Sequence, residues 1–182
     1  MVAAAAPRVV VMGVSGSGKS TLGRALAQRL GAEFLEGDDL HPPRNVERMA
    51  AGVALTDDDR RDWLLAIAQR IDDARAARRG LAVSCSALKR GYRELLRSAC
   101  PDLAFVHLHA ERALLEERLR ARSDHFMPAS LLASQLQTLE PPARDERAIT
   151  LDAALPLAQL ADSAAAWLAK LRPLRSKTGT RP

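Results

Sequence analysis

The sequence predicts a three-layer α/β domain, with a parallel sheet of short buried strands covered by helices on both faces. Short apolar runs rich in β-branched residues alternate with longer segments of helical period, the pattern of repeated strand–helix–strand units. The first run passes directly into Gly13-Val14-Ser15-Gly16-Ser17-Gly18-Lys19-Ser20, which fits G-x-x-x-x-G-K-[ST] at every fixed position. At 182 residues, 47% hydrophobic and 27% charged, the chain suits one globular core and excludes disordered, collagen-like and coiled-coil readings.

Each element has a local reason. Val9 to Met12 is a buried strand, and the following helix places Leu22, Ala25, Leu26 and Leu30 at helical spacing before Gly31 caps it. Glu33 to Glu36 is a second strand. It opens into the polar loop Gly37-Asp38-Asp39-Leu40-His41-Pro42, at the carboxyl end where sites in open α/β sheets lie. Thr56 with Asp57, Asp58 and Asp59 starts a long helix, because a hydroxyl caps free amides and first-turn carboxylates suit the positive pole. Trp63, Ile67, Ile71 and Ala74 form its buried stripe. Leu81 to Cys85 is a third strand, Leu88 to Ala99 a helix and Ala104 to Leu108 a fourth strand. Glu111 to Arg122 is a charge-rich helix with Leu115 and Leu119 inward, and Ala148 to Leu151 and Leu157 to Leu171 supply the last strand and helix.

The single domain is expected over 8–172, with flexible termini at 1–7 and 173–182. A polar, proline-marked stretch, about 123–142, has the length of a mobile lid with its own short helix. The longest apolar stretches fall far short of the roughly 20 residues a bilayer span needs, and the alanine-rich leader lacks the order of a secretory signal. A cytoplasmic protein with no membrane partner is therefore expected. Cys85 and Cys100 cannot build a disulfide framework, so both are expected to be small buried groups. His107 and His109 share a strand face, but no third ligand lies nearby to make a metal site. A net charge of +5 suits an anionic ligand, while 3% aromatic content argues against single-stranded nucleic acid, which needs exposed rings for stacking.

The glycine motif is a P-loop by residues and by context. Backbone amides of Gly13, Val14, Ser15, Gly16, Ser17, Gly18, Lys19, Ser20 and Thr21 are expected to cradle the phosphates of ATP at a helix amino terminus. Lys19 reaches the outer phosphates, and the Ser20 hydroxyl holds Mg²⁺. The third strand ends Val83-Ser84-Cys85-Ser86, without the aspartate that motor and signalling P-loop proteins usually carry there. The nearest acids are instead Glu36 and Asp38, which points to a small-molecule kinase. The loop 36–45 gathers carboxylates, His41 and Arg44, a set suited to a polyhydroxy acid. Lys89 and Arg93 lie one turn apart on a helix start.

These residues resemble the gluconokinase family over roughly 8–172. The similar features are Gly13 to Ser20, Gly-Asp-Asp-Leu-His-Pro at 37–42, Asn45 with Met49, Leu55 with Asp57 to Arg60 and Trp63. Cys-Ser-Ala-Leu-Lys at 85–89, Tyr92-Arg93, His125-Phe126, and Ser134-Gln135 with Leu139-Glu140-Pro141 complete them. The resemblance implies a five-stranded sheet in the order 2-3-1-4-5, ATP-dependent phosphorylation of D-gluconate at its 6-hydroxyl, and a homodimer. It also implies that Asp38 orients the attacking hydroxyl, that His41, Arg44, Arg60, Lys89 and Arg93 contact the acceptor, and that Arg118 and Arg122 at the lid's base offset phosphoryl charge. Two positions depart from the family pattern: Glu36 stands where an aspartate is usual, and Asp124 replaces a glycine before His-Phe. A kinase of shikimate or nucleoside monophosphate type, or a nucleotide-responsive RNA-binding module, is the alternative reading.

Overall fold

The computed structural model describes residues 6–121 and 129–171. Strands β1 (Arg8–Met12), β2 (Glu33–Glu36), β3 (Leu81–Ser84), β4 (Ala104–His109) and β5 (Ala148–Asp152) form one parallel sheet in the order β2-β3-β1-β4-β5. The alternating pleat of β1 sends Val9 and Val11 to one face and Val10 and Met12 to the other. Helices α1 (Lys19–Leu30) and α7 (Leu157–Lys170) bury Leu22, Leu26, Leu160 and Ala164 against the first face. Helices α3 (Asp57–Ala76) and α4 (Arg90–Ala99) bury Trp63, Ile67, Ile71, Tyr92 and Leu96 against the second. Both faces are thus sealed, as an all-parallel sheet requires.

The helix signals act as read. Thr56 and Asp59 form a reciprocal capping box: the Asp59 amide donates to the Thr56 hydroxyl at 3.2 Å, and the Thr56 amide to the Asp59 carboxylate at 2.8 Å. Gly31 closes α1 at φ 59°. Cys85 and Cys100 are buried, and burial lifts their thiols to about 12 and about 11, so neither is a ready nucleophile.

The loop after β2 is more ordered than expected. Gly37–Leu40 is a 3₁₀ turn, and α2 (Pro43–Ala50) follows with proline at its first position, where the missing amide costs nothing. Short α5 (Arg112–Arg120) and α6 (Ala129–Thr138) complete the described elements. The lid expected at 123–142 is described only from 129. Its helix is present as α6, whereas Asp124, His125 and Phe126 lie outside the described residues.

Candidate active site

The P-loop runs from the end of β1 to the start of α1, at the carboxyl edge of the sheet. Gly16 and Gly18 take φ +82° and +96°, values that side-chain-bearing residues rarely adopt, and so turn the loop back on itself. The ammonium of Lys19 donates to the Val14 carbonyl of the same loop at 3.0 Å.

Two cavities flank this loop. The first is lined by Ser15 and Lys19 from the P-loop, Asp38 and His41 after β2, Arg60 and Trp63 on α3, and Ser134 and Gln135 on α6. The second, about 310 Å³, is lined by Gly16, Ser17, Gly18 and Thr21, by Arg118, and by Leu155 and Leu157. That volume suits a small ligand of nucleoside size.

Asp38 owes its position to a close approach of backbones. A Cβ on Gly37 would lie 2.1 Å from the Ser84 carbonyl oxygen, so only glycine lets the chain turn there. Trp63 pins the turn from α3, its indole N–H donating to the Gly37 carbonyl at 2.7 Å. The same indole stacks on His41, with ring centroids 4.1 Å apart and planes 13° from parallel. Burial lowers the pKa of His41; Asp38 opposes that shift and Arg60 adds to it. The ring is therefore neutral near pH 7.

Arg60 is held by a chain of polar groups. It donates to the Tyr92 hydroxyl at 3.2 Å, Tyr92 donates to Asp57, and Lys89 donates to both Asp57 oxygens at 2.8 Å. Gln135 reaches the cradle itself, its carboxamide oxygen accepting the Ser15 amide proton at 2.7 Å. Tyr92 and Gln135 carry polar contacts that residue type alone did not reveal; their only signal was their place among the family-like motifs.

Five expected site residues need correction, fall elsewhere or lie outside the described residues. Arg93 is fully buried and does not line the first cavity: it pairs with Glu146 and donates to the Ala87 and Leu88 carbonyls. Helical spacing placed it on the face of Lys89, but α4 begins at Arg90 and Lys89 is its extended N-cap, so Lys89 turns to Asp57 and Arg93 to Glu146. Arg118 stands on the other side of the P-loop, donating to Ser17 and Ala153 carbonyls at 3.4 and 2.8 Å. Arg44 is exposed and pairs with Asp62, and Lys89 reaches the cavity only through Asp57 and Tyr92. Arg122 lies outside the described residues. Glu36, the acid that departs from the family pattern, bonds the Ser84 hydroxyl and lies 3.6 Å from Arg24.

Comparison with known proteins places the chain among relatives of the same fold. A family model described as an AAA domain matches residues 9–142. A gluconokinase of Gluconobacter oxydans is 52% identical over 141 residues, covering 78% of this chain and 79% of the relative. The thermoresistant gluconokinase of Escherichia coli is 45% identical over 137 residues, covering 75% and 78%. The crystal structure of a gluconokinase from Sinorhizobium meliloti 1021 superposes with a TM-score of 0.83 at 50% identity, over 91% of this chain and 93% of that one. Identity at this level, over most of both chains and around one shared P-loop fold, leaves a single conclusion: the chain belongs to the gluconokinase family.

Proposed function

We propose that this chain transfers the terminal phosphoryl group of ATP to the 6-hydroxyl of D-gluconate, giving 6-phosphogluconate and ADP. One observation carries the reading: Lys19 of the phosphate cradle and Asp38 line the same cavity, with His41 and Arg60 on its walls. A polyhydroxy acid needs that mixture. Arg60 supplies a fixed cation for the carboxylate, and His41 and Asp38 engage hydroxyl groups.

Phosphoryl transfer asks little covalent chemistry of the protein, so positioning and charge neutralisation do the work. Asp38 orients the 6-hydroxyl and accepts its proton late, as bonding to phosphorus develops. Lys19 and the loop amides offset charge on the phosphates, and Arg118 with Thr21 contributes on the nucleoside side. Gln135 supports a lid role for 123–142, since α6 brings its side chain onto the cradle.

The donor set also fits magnesium. No group of three or more His, Cys, Asp or Glu among the described residues could hold a metal. Ser20 and phosphate oxygens are the sparse set Mg²⁺ accepts while keeping its waters. When bound, the ion neutralises phosphate charge. The family resemblance supports a homodimer and a cytoplasmic location, and no described helix is long and apolar enough to cross a membrane.

The test is ADP release with and without gluconate, against a panel including shikimate and nucleoside monophosphates. Gluconate-dependent ADP release supports the assignment. Preference for another acceptor, or release indifferent to any acceptor, overturns it.

A further inference from the structure

Asn45 is a buried polar residue outside the expected catalytic set, with 0% of its surface exposed. It lies on α2, and its carboxamide nitrogen makes two contacts: 2.7 Å to the Asp59 carbonyl oxygen and 3.3 Å to His41 Nδ1. A backbone carbonyl can only accept, so the atom facing it must be the amide nitrogen, which fixes the orientation of the carboxamide. One of its two hydrogens is then committed to Asp59. The second points at His41 Nδ1, which must accept and therefore carries no proton.

We propose that Asn45 is a positioning residue that holds His41 as its Nε2–H tautomer, so that the ring offers the acceptor cavity a hydrogen-bond donor. The ring is fixed on its other sides as well. Trp63 stacks on one face at 4.1 Å, and with Nδ1 turned to Asn45 the free ring edge carries Nε2. His41 lines the cavity together with Asp38 and Arg60, the charged groups whose fields act on it. These three side chains then read an acceptor in complementary ways. Arg60 is a cationic donor, Asp38 an anionic acceptor and His41 a neutral donor, the group matched to the lone pair of a hydroxyl oxygen. An inverted ring tautomer would present a lone pair instead, which a hydroxyl can meet only by turning its own proton to the ring and away from an acceptor such as Asp38.

This inference rests on the acceptor reading above for its consequence, although the tautomer itself is measured without any substrate. The experiment is a long-range ¹H–¹⁵N correlation spectrum of the full-length protein labelled on histidine nitrogen, at pH 7.5. His41→Gln identifies the signals of His41 among the four histidines. The expected pattern is an unprotonated Nδ1 and a protonated Nε2. In Asn45→Asp the new carboxylate cannot donate, and the ring should become Nδ1-protonated; Asn45→Ala should mix the two tautomers. Kinetically, both variants should raise KM for gluconate about tenfold, the worth of one hydrogen bond. KM for ATP should stay unchanged and kcat should change less than about threefold.

A protonated Nδ1 in the unaltered protein overturns the proposal, even if neither variant folds. So does a flipped tautomer in a folded variant with unchanged KM for gluconate. If the unaltered protein shows no gluconate-dependent turnover, the acceptor reading fails instead, and the spectrum still decides the tautomer.

Discussion

Arg93 lays its guanidinium against the Glu146 carboxylate, Nε and Nη2 donating to the two oxygens at 2.7 and 2.8 Å with the side chains 1% and 0% exposed. The two parallel hydrogen bonds hold Glu146 ionised, its pKa lowered to about 2 chiefly by Arg93. Arg97 approaches the same carboxylate at 3.2 Å, and the Ala143 amide donates to it at 3.0 Å. The cluster ties α4 to the segment that leads from α6 into β5.

Arg93→Ala removes one partner and leaves a carboxylate buried without its main neutralising group. The expected loss is about 3–5 kcal/mol in urea unfolding at pH 7. KM for gluconate in the folded fraction should not move. A variant of unchanged stability with a raised KM would return Arg93 to the acceptor site.

Arg118 lines the second cavity with Gly16, Gly18 and Thr21 and is braced by the Ser17 and Ala153 carbonyls. Arg118→Ala should therefore weaken ATP binding about tenfold in calorimetry while leaving KM for gluconate unaltered. A large fall in kcat at saturating ATP with unchanged ATP affinity would move Arg118 to the transferring phosphoryl group.

The contrast between these arginines shows what the sequence discloses. The P-loop is legible because its glycines, lysine and serine act on one ligand from one contiguous turn, and the strands and long helices announce themselves by local period. Arg93 was misread because spacing defines a helix face but not what covers it, and Glu146 lies 53 positions along the chain. Gln135 meets Ser15 across 120 positions, a contact no local pattern encodes. Helix α2 escaped notice for a different reason. Its one buried residue is the polar Asn45, so no buried apolar stripe marks it, and Pro42 and Pro43 read as a loop although Pro43 is a helix start.

His107 should make stability fall on the acid side. It is 2% exposed, its Nδ1 lies 3.2 Å from the Thr150 hydroxyl, and burial followed by the fields of His109 and Arg93 lowers its pKa to about 4. The unfolded chain takes up this proton near 6.5, so between pH 6.5 and 4 it binds more protons than the folded state. Stability contributed by the neutral ring is present above pH 6.5 and is lost as pH falls, by about 3 kcal/mol once both states are protonated. His41, also lowered by burial, acts in the same direction. His107→Gln should flatten the dependence of unfolding free energy between pH 6.5 and 4 without abolishing it. An unchanged slope would mean that His107 titrates normally in the folded protein.

Asp38 carries the sharpest test of the transfer step. The Gly37 turn, the Trp63 hydrogen bond and the end of β2 place Asp38 in the wall of the cavity that Lys19 and Arg60 also line. Asp38→Asn keeps the size and removes the proton acceptor, so gluconate-dependent turnover should fall about 10²-fold or more. ATP affinity should change little, because the loop amides, Lys19 and Ser20 make their contacts independently of β2. Calorimetric ATP binding and gluconate-dependent ADP release are to be measured on the same preparation, with Lys19→Ala alongside. The lysine variant should fold and lose transfer, since its ammonium neutralises phosphate charge that the buried core does not need. Loss of ATP binding in Asp38→Asn would reassign the carboxylate to the metal side of the nucleotide. Unchanged turnover would reduce it to a residue of the 3₁₀ turn and pass its role to Asp39 or Glu36. Of these two, Glu36 is already engaged by Ser84 and Arg24, which makes Asp39 the next carboxylate to replace.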